Sequence, residues 1–326
     1  MLTIDKCHTL RVLLTDSVKR NFSKLVLLSG GLDSSILASI IRPECSITVG
    51  LGDKARDFFF ANEIAKRYCT IHLQVILNYE TLISIMHDLI RILKTFDPIE
   101  IRNSSVIYAG INEARHKGYS SVMTGDGGDE LFAGYNYMVR YHDDLKNLDE
   151  ELHRLWQIMH FSSAEIGKAL GLDVKTPYLD ENFISYAKSI DISDKIGAYN
   201  GKTWGKFILR KSFETYLGKE IAWRSKMAQE EGAQTTLIKN FAGIELDDKQ
   251  FEDEIEKASL EGVKIRDKEH LYYYLIYKEN FSIPKKDKKS HNLRCPECLA
   301  AFIWNGRYCR TCGSFPVVPI QIEIQK

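Results

Sequence analysis

Ser29-Gly30-Gly31-Leu32-Asp33-Ser34-Ser35 is the stretch of this sequence best equipped for chemistry. The apolar run Lys24–Leu28 ahead of it reads as a short buried strand, and the pattern from Asp33 onward reads as a helix. Between them, glycines allow close backbone approach, so successive N–H groups, the positive end of a helix and three hydroxyls share one concavity. That is an anion site. Asp33 would repel a bare phosphate, so its presence makes most sense with a divalent cation such as Mg²⁺ between carboxylate and nucleotide triphosphate. No Lys follows the glycines, which excludes the GxxxxGK[ST] loop, and the stretch Gly197 to Thr203 falls one residue short of it. The bland alternative is a tight strand-to-helix turn capped by Asp33.

A second glycine turn follows the strand Ser120–Thr124 and carries three acids: Thr124-Gly125-Asp126-Gly127-Gly128-Asp129-Glu130. Asp126 and Asp129 suit a metal or proton-transfer site, or merely the cap of a helix starting near Asp129-Glu130. Near the far end stand Cys295-Pro-Glu-Cys298 and Cys309-Arg-Thr-Cys312-Gly313. Two such pairs with a hairpin-length spacer suit a closed tetrahedral Zn²⁺ site of the ribbon kind, with Asn305-Gly306 as the hairpin turn. A redox pair is the alternative reading. Cys7, Cys45 and Cys69 are scattered and read as structural.

The elements that must position these residues alternate. Strands are expected at 45–51 and 70–75 and helices at 9–20, 57–68, 79–94 and 104–117, a pattern that favours a parallel sheet covered on both faces. From Asp144 to Tyr216 the pattern is mostly helical, with an extended interruption at Lys175–Asp180. Glu245–Glu269 is rich in acids with weak apolar periodicity and reads as a solvated helix pair or exposed excursion. The run Lys285-Lys-Asp-Lys-Lys289 reads as a charged linker, dividing the chain into 1–284 and 285–326.

Of 326 residues, 44% are hydrophobic and 27% charged, and 44 basic residues balance 44 acidic ones. This composition excludes a disordered chain and any chain-wide basic field for nucleic acid or anionic membrane. No apolar run reaches the ~20 residues of a membrane span. Asp5 and Lys6 interrupt the place of a signal peptide, so a cytoplasmic protein is expected.

The Ser29–Ser35 segment is similar to the pyrophosphate loop of the ATP pyrophosphatases, specifically the synthetase domain of asparagine synthetases. Thr124–Tyr135, the helix Leu10–Arg20, Phe96–Arg102, Lys175–Asp180, Lys206–Arg210 and Trp223–Lys226 resemble that family's other segments in the same order. The resemblance implies a doubly wound parallel α/β sheet of the adenine nucleotide alpha hydrolase kind, with a helical extension. It also implies an AMP-forming ligase, in which a substrate carboxylate attacks the α-phosphate of ATP, pyrophosphate leaves, and ammonia displaces AMP. On this likeness Ser29, Gly30, Gly31, Asp33, Ser34 and Ser35 hold the phosphates, and Val49, Thr124 and Gly125 the adenosine part. Asp33 and Asp129 hold Mg²⁺, Asp126 helps deprotonate the amine, Lys226 neutralises phosphate charge and Arg102 lies near the intermediate. Surface solvation for Lys226, a structural ion pair for Arg102 and core packing for His72 are the competing readings.

Departures from the family pattern also carry expectations. Residue 2 is Leu where the glutamine-using enzymes carry a catalytic Cys, so ammonia, another amine or a separate glutaminase is the expected donor. The segment Phe161-Ser162-Ser163-Ala164 lacks the family's usual Asp and Arg, and Ile99 replaces a common hydroxyl residue. The acceptor carboxylate is therefore aspartate or an analogue, or belongs to a carrier protein. Trp304, Arg307 and Tyr308 could stack on bases or fill the ribbon's core, which keeps open adenylation of a tRNA base gripped by the ribbon. A non-catalytic nucleotide-binding regulator is the third reading.

Overall fold

The computed structural model describes residues 4–240, 246–284, 293–302 and 307–321. Five strands form one parallel sheet: β1 (Leu25–Leu27), β2 (Cys45–Leu51), β3 (Ile71–Leu77), β4 (Ser121–Met123) and β5 (Asp173–Lys175), in the order β3-β2-β1-β4-β5. The order reverses beside β1, so the turns after β1 and β4 open at the same edge. Open α/β sheets bind ligands at such a switch point.

Side chains of successive strand residues point to opposite faces, and β1 divides its apolar residues accordingly. Leu25 joins the core built with Leu82, Met86, Leu89 and Ile111, from α4 (Tyr79–Leu93) and α5 (Pro98–His116). Val26 and Leu28 join the opposite core with Leu10 and Leu14 of α1 (Ile4–Arg20), Ile36 of α2 (Leu32–Ile41) and Ile64 of α3 (Arg56–Tyr68). All seven residues of β2 are buried, as expected for a strand covered on both sides. The fold is therefore the doubly wound α/β class that the sequence implies. Among the described residues no helix is long and apolar enough to cross a membrane.

Some elements differ from expectation. The segment 175–180 is not a mere interruption, because Asp173–Lys175 pairs with β4 before Pro177–Leu179 turns as a 3₁₀ helix. Gly197–Thr203 belongs to an antiparallel hairpin, Ile196–Tyr199 with Lys202–Gly205, turning at Asn200-Gly201. Asn-Gly is a strong hairpin signal in its own right. Helix α5 starts at Pro98 rather than 104, with Asp97 accepting from the Ile99 N–H as its cap. In the acidic stretch, Asp247 and Gln250 form a capping box on a largely solvated helix, Asp248–Leu260. The next helix, Lys268–Asn280, buries Leu271, Tyr273, Tyr274 and Ile276 against α4 and Phe96.

The described part of the ribbon packs on this second helix and on the α4–α5 connection. Its four cysteines share a core cluster with Phe96 and Tyr274, and the Phe96 N–H donates to Thr311 O at 2.8 Å. A short antiparallel pair, Leu293–Arg294 with Ile320–Gln321, closes it. The linker lysines 285–289, Trp304 and the Asn305-Gly306 turn lie outside the described residues.

Candidate active site

The turn after β1 places Ser29, Gly30 and Gly31 ahead of α2, so the first N–H groups of that helix face the carboxyl edge of the sheet. Ser34 Oγ lies 3.3 Å from both Ser29 N and Ser29 Oγ, and the Gly31 N–H donates to Ser29 Oγ. The hydroxyls of Ser29 and Ser34 therefore line one turn, and Ser35 Oγ is buried with no hydrogen-bond partner among the described residues. Arg224 braces the turn from outside: it donates to Gly30 O at 3.0 Å and to Asp57 at 3.2 Å, over the ring of Phe60. β2 continues past its last partner in β1, the pair Leu27↔Ile47, so Val49–Leu51 stand beyond the end of β1. Val49 itself is buried.

Asp33 and Asp129 come from different turns and converge. Lys206, nearly fully buried, hydrogen-bonds Asp33 and lies 2.8 Å from Asp129 Oδ1, while Lys226 lies 2.5 Å from Asp129 Oδ2. The approach is tight: a Cβ on Gly128 would lie 2.6 Å from Asp33 Cγ, so only glycine lets the two turns meet. Tyr178 donates to Asp33 O from the segment after β5, at 3.2 Å. Burial opposes the charge of Lys206, but Asp129 and Asp33 outweigh it and hold its ammonium above the usual range. Burial likewise opposes the charge of Asp129, and Lys206 and Lys226 outweigh it and pull its carboxyl well down. At Asp33, burial wins, assisted by the charge of Asp129, and the carboxyl is raised.

This donor set fits a hard divalent cation. Asp33 Oδ1 is buried with no hydrogen-bond partner among the described residues, and Asp129 Oδ1 touches Lys206 without the geometry of a hydrogen bond. Both oxygens are ligands that Mg²⁺ accepts.

Asp126 occupies the other side of the same turn. Its Oδ2 accepts from Thr124 Oγ1 at 2.8 Å and from Ser163 Oγ at 2.5 Å, Ser163 belonging to the helix Ser162–Leu170. Burial pushes this carboxyl up, against the two hydroxyl donors. Next to it, Ser104 of α5 donates to Glu100 at 2.9 Å, and its Oγ lies 2.8 Å from Ser162 Oγ. Ser162 and Ser163 thus form one polar cluster with Asp126, Ser104 and Glu100.

Arg102 stands apart from that cluster. It is buried, its Nη1 lies 2.6 Å from Glu269 Oε2, and it lines a cavity of about 450 Å³ with Pro98, Ile99, Arg266 and Phe315. His72 is packed in β3, its Nδ1 2.8 Å from Ser46 Oγ. Sequence reasoning missed Lys206, Arg224 and Ser163 as site residues. The first two lie in segments that match the family pattern, and the two cations that each of those segments carries were the available signal.

The cysteines meet as expected. One sulfur from each of Cys295, Cys298, Cys309 and Cys312 lies within 4.8 Å of the others, and all four residues are buried. The separations Cys295–Cys312 and Cys298–Cys309 are both 3.8 Å, which is about the edge of a tetrahedron with 2.3 Å Zn–S bonds. Four thiols of this geometry fit Zn²⁺.

Comparison with known proteins agrees with the geometry. The family model described as Asparagine synthase matches residues 9–167 and 146–275. The chain is 32% identical over 274 residues to the glutamine-hydrolyzing asparagine synthetase B of Escherichia coli K12, covering 75% of this chain and 49% of that protein. It is 31% identical over 258 residues to a probable glutamine-hydrolyzing asparagine synthetase of Dictyostelium discoideum, covering 69% and 46%. With the glutamine-hydrolyzing asparagine synthetase of Gallus gallus the identity is 30% over 277 residues, covering 78% and 48%. The chain spans about half the length of the curated relatives it matches. With a family match that takes in both glycine turns and the segments carrying Lys206 and Lys226, this chain belongs to the asparagine synthase family.

Proposed function

We propose that this chain is an AMP-forming carbon–nitrogen ligase, which activates a small carboxylate, aspartate or an analogue, as an acyl-adenylate and transfers it to ammonia or another amine. The observation that carries the reading is the pair of carboxylates, Asp33 and Asp129, drawn to one point by Lys206 and Lys226 beside a glycine turn of hydroxyls. Chemistry at phosphorus needs mainly positioning and charge neutralisation, and this is what those groups supply. Ser29, Gly30, Gly31, Ser34 and Ser35 receive the pyrophosphate part of ATP, and Val49, Thr124 and Gly125 receive the AMP part. Asp33 and Asp129 are the ligands for Mg²⁺, which when bound neutralises phosphate oxygens. Lys226, a quarter exposed and beside the metal carboxylate, faces the leaving pyrophosphate.

Asp126 serves the second half of the reaction. A carboxylate there accepts a proton from the attacking amine, and the raised affinity for protons that burial confers suits that task. Ser163, Ser162, Ser104 and Glu100 form the wall on the acceptor side, whereas Arg102 is held by Glu269 and faces a separate cavity. We favour a small carboxylate over a tRNA base, because Tyr308, Arg310 and Thr311 of the ribbon spend their polar groups on this same chain. A reducing, cytoplasmic setting suits the four thiols.

The test is pyrophosphate release from ATP by residues 1–326 with ammonia supplied, screened across small carboxylates, carrier proteins and tRNA, with AMP identified in parallel. Release dependent on one carboxylate supports the ligase; release dependent only on tRNA, or none with any acceptor, refutes it. Added glutamine in place of ammonia reports the amine donor separately.

A further inference from the structure

Two elements line the acceptor side of the site, the first two turns of α5, with Glu100 and Ser104, and the start of the helix Ser162–Leu170, with Ser162 and Ser163. The cap of the first, and the residue that ends the helix just before the second, are bonded to the same feature, the second cysteine knuckle. Tyr308 donates to Asp97 Oδ2 while Asp97 Oδ1 caps α5 by accepting from the Ile99 N–H. Thr95 Oγ1 donates to Arg310 O at 2.8 Å, and the Phe96 N–H donates to Thr311 O at 2.8 Å. Arg310 in turn donates to Ile158 O at 2.7 Å, four residues before Ser162. From the opposite side, Arg266 donates to Cys312 O at 2.8 Å and to Ser314 Oγ at 3.0 Å.

These contacts are directed, and on the α5 side their partners are buried. Thr95, Phe96 and Asp97 are at most 2% exposed, so the partners lost with the knuckle could not be replaced by water without opening the core. Gly313, at φ +75, sits where a Cβ would lie 2.2 Å from Asp97 Oδ1, which presses the knuckle's turn against the cap of α5. A unit of this size cannot fold on apolar burial alone, so its rigidity depends on the four sulfurs holding a metal.

We propose that the cysteine site is a strut: Zn²⁺ held by Cys295, Cys298, Cys309 and Cys312 fixes the cap of α5 and the approach to Ser162, and through them the acceptor side of the active site. Asp97 and Tyr308 are positioning residues in this arrangement. The acceptor assignment rests on the function proposed above, whereas the mechanical coupling is independent of it. The strut leaves the phosphate end alone, since the Ser29–Ser35 turn is braced by Arg224 and Tyr178 and, among the described residues, not by the ribbon.

Hydrogen–deuterium exchange of the full chain, with one bound zinc per chain and after treatment with a zinc-selective chelator, tests the coupling without any turnover. Metal removal should speed exchange of amides in 96–104 and 158–164 by about tenfold or more, while peptides covering 25–36 change less than about twofold, because only buried contacts to the knuckle are lost. Unchanged exchange at 96–104, or equal acceleration throughout the chain, overturns the strut. Tyr308→Phe is the milder variant. It should keep its zinc and its affinity for MgATP, yet exchange faster at Ile99–Arg102 and raise the KM for the carboxylate more than the KM for ATP. Retained zinc with wild-type exchange at Ile99–Arg102 overturns the proposal. If the wild-type chain turns over no carboxylate, the exchange arm still decides the coupling, so failure of the ligase reading and failure of the strut are separate results.

Discussion

Replacing Lys206 by methionine takes away the cation that lies between two converging carboxylates and keeps nearly everything else. The residue sits at φ +54, a conformation as costly for methionine as for lysine, so the substitution adds no new backbone strain. The side chain is 5% exposed and contacts Asp33 and Asp129 directly, so solvent screening gives little relief. Removing one member of a buried ion pair costs about 3 to 5 kcal/mol. Lys226, 2.5 Å from Asp129 Oδ2, continues to serve Asp129, which leaves Asp33 to bear the loss and places the expected cost near the lower figure. Urea unfolding in the presence of a chelator measures it: at a slope of about 3 kcal/mol/M the midpoint falls by about 1 M. Magnesium should then raise the variant's midpoint more than that of the wild type, since a cation that binds only the folded state stabilises by about 2.7 kcal/mol at a hundred times its Kd. An unchanged midpoint in chelator, or equal magnesium responses of the two proteins, would refute the reasoning that Lys206 holds the place between two metal carboxylates.

Asp126→Asn should slow amide formation by about 10² or more, the usual weight of a positioned proton acceptor, while isotope exchange between pyrophosphate and ATP stays near wild type; equal loss of both assigns Asp126 to the metal or the fold instead. Burial, with the charge of Asp129, raises the Glu130 carboxyl from 4.5 to about 7 against the donor Tyr135. The folded state therefore holds an extra proton in that window, and the stability this contributes below pH 4.5 is lost as pH rises through 7. Glu130→Gln should lack that loss, so wild-type stability relative to the variant should fall by about 3 kcal/mol across this window, at 1.36 kcal/mol per unit, as read from urea midpoints at each pH; a pH-independent difference contradicts it. Gly128→Ala should destabilise the fold by about 1 to 3 kcal/mol by pushing a methyl into Asp33, and should weaken MgATP binding measured by calorimetry; wild-type affinity would show that the turns can part without consequence.

Where a segment carried its own signal, the sequence was sufficient. Cys45–Leu51 is uniformly apolar or small, and it is a fully buried strand over those same residues. The four cysteines announce their metal site by spacing alone, and their sulfurs meet. Asp173–Lys175 carried no such signal: three residues with a charge at each end become a strand only because β4 is already there to pair with. Lys206 is similar. Alone it is a lysine at the head of a helix, and its significance is created by distant turns that place Asp33 and Asp129 on either side of it. Arg102 shows the converse, since a residue singled out from a motif finds its strongest partner in Glu269, from a helix whose packing no local pattern revealed. Ser163 gains a role only through Asp126, so reading Phe161–Ala164 as a simple loss of polar residues omitted the hydroxyls that stand there.

The measurement that bears most directly on the central claim is carboxylate-dependent release of pyrophosphate, with AMP as the second product, compared between the wild type and Asp33→Asn and Asp129→Asn. Each substitution removes one charge from the proposed metal pair, and the loss of one electrostatic partner of a transition state costs about 3 to 4 kcal/mol. The expected result is release by the wild type with one class of small carboxylate and a fall of at least about 10² in each variant, with circular dichroism unchanged. Wild-type rates in both variants, or ADP and phosphate as the products in place of AMP and pyrophosphate, would contradict it.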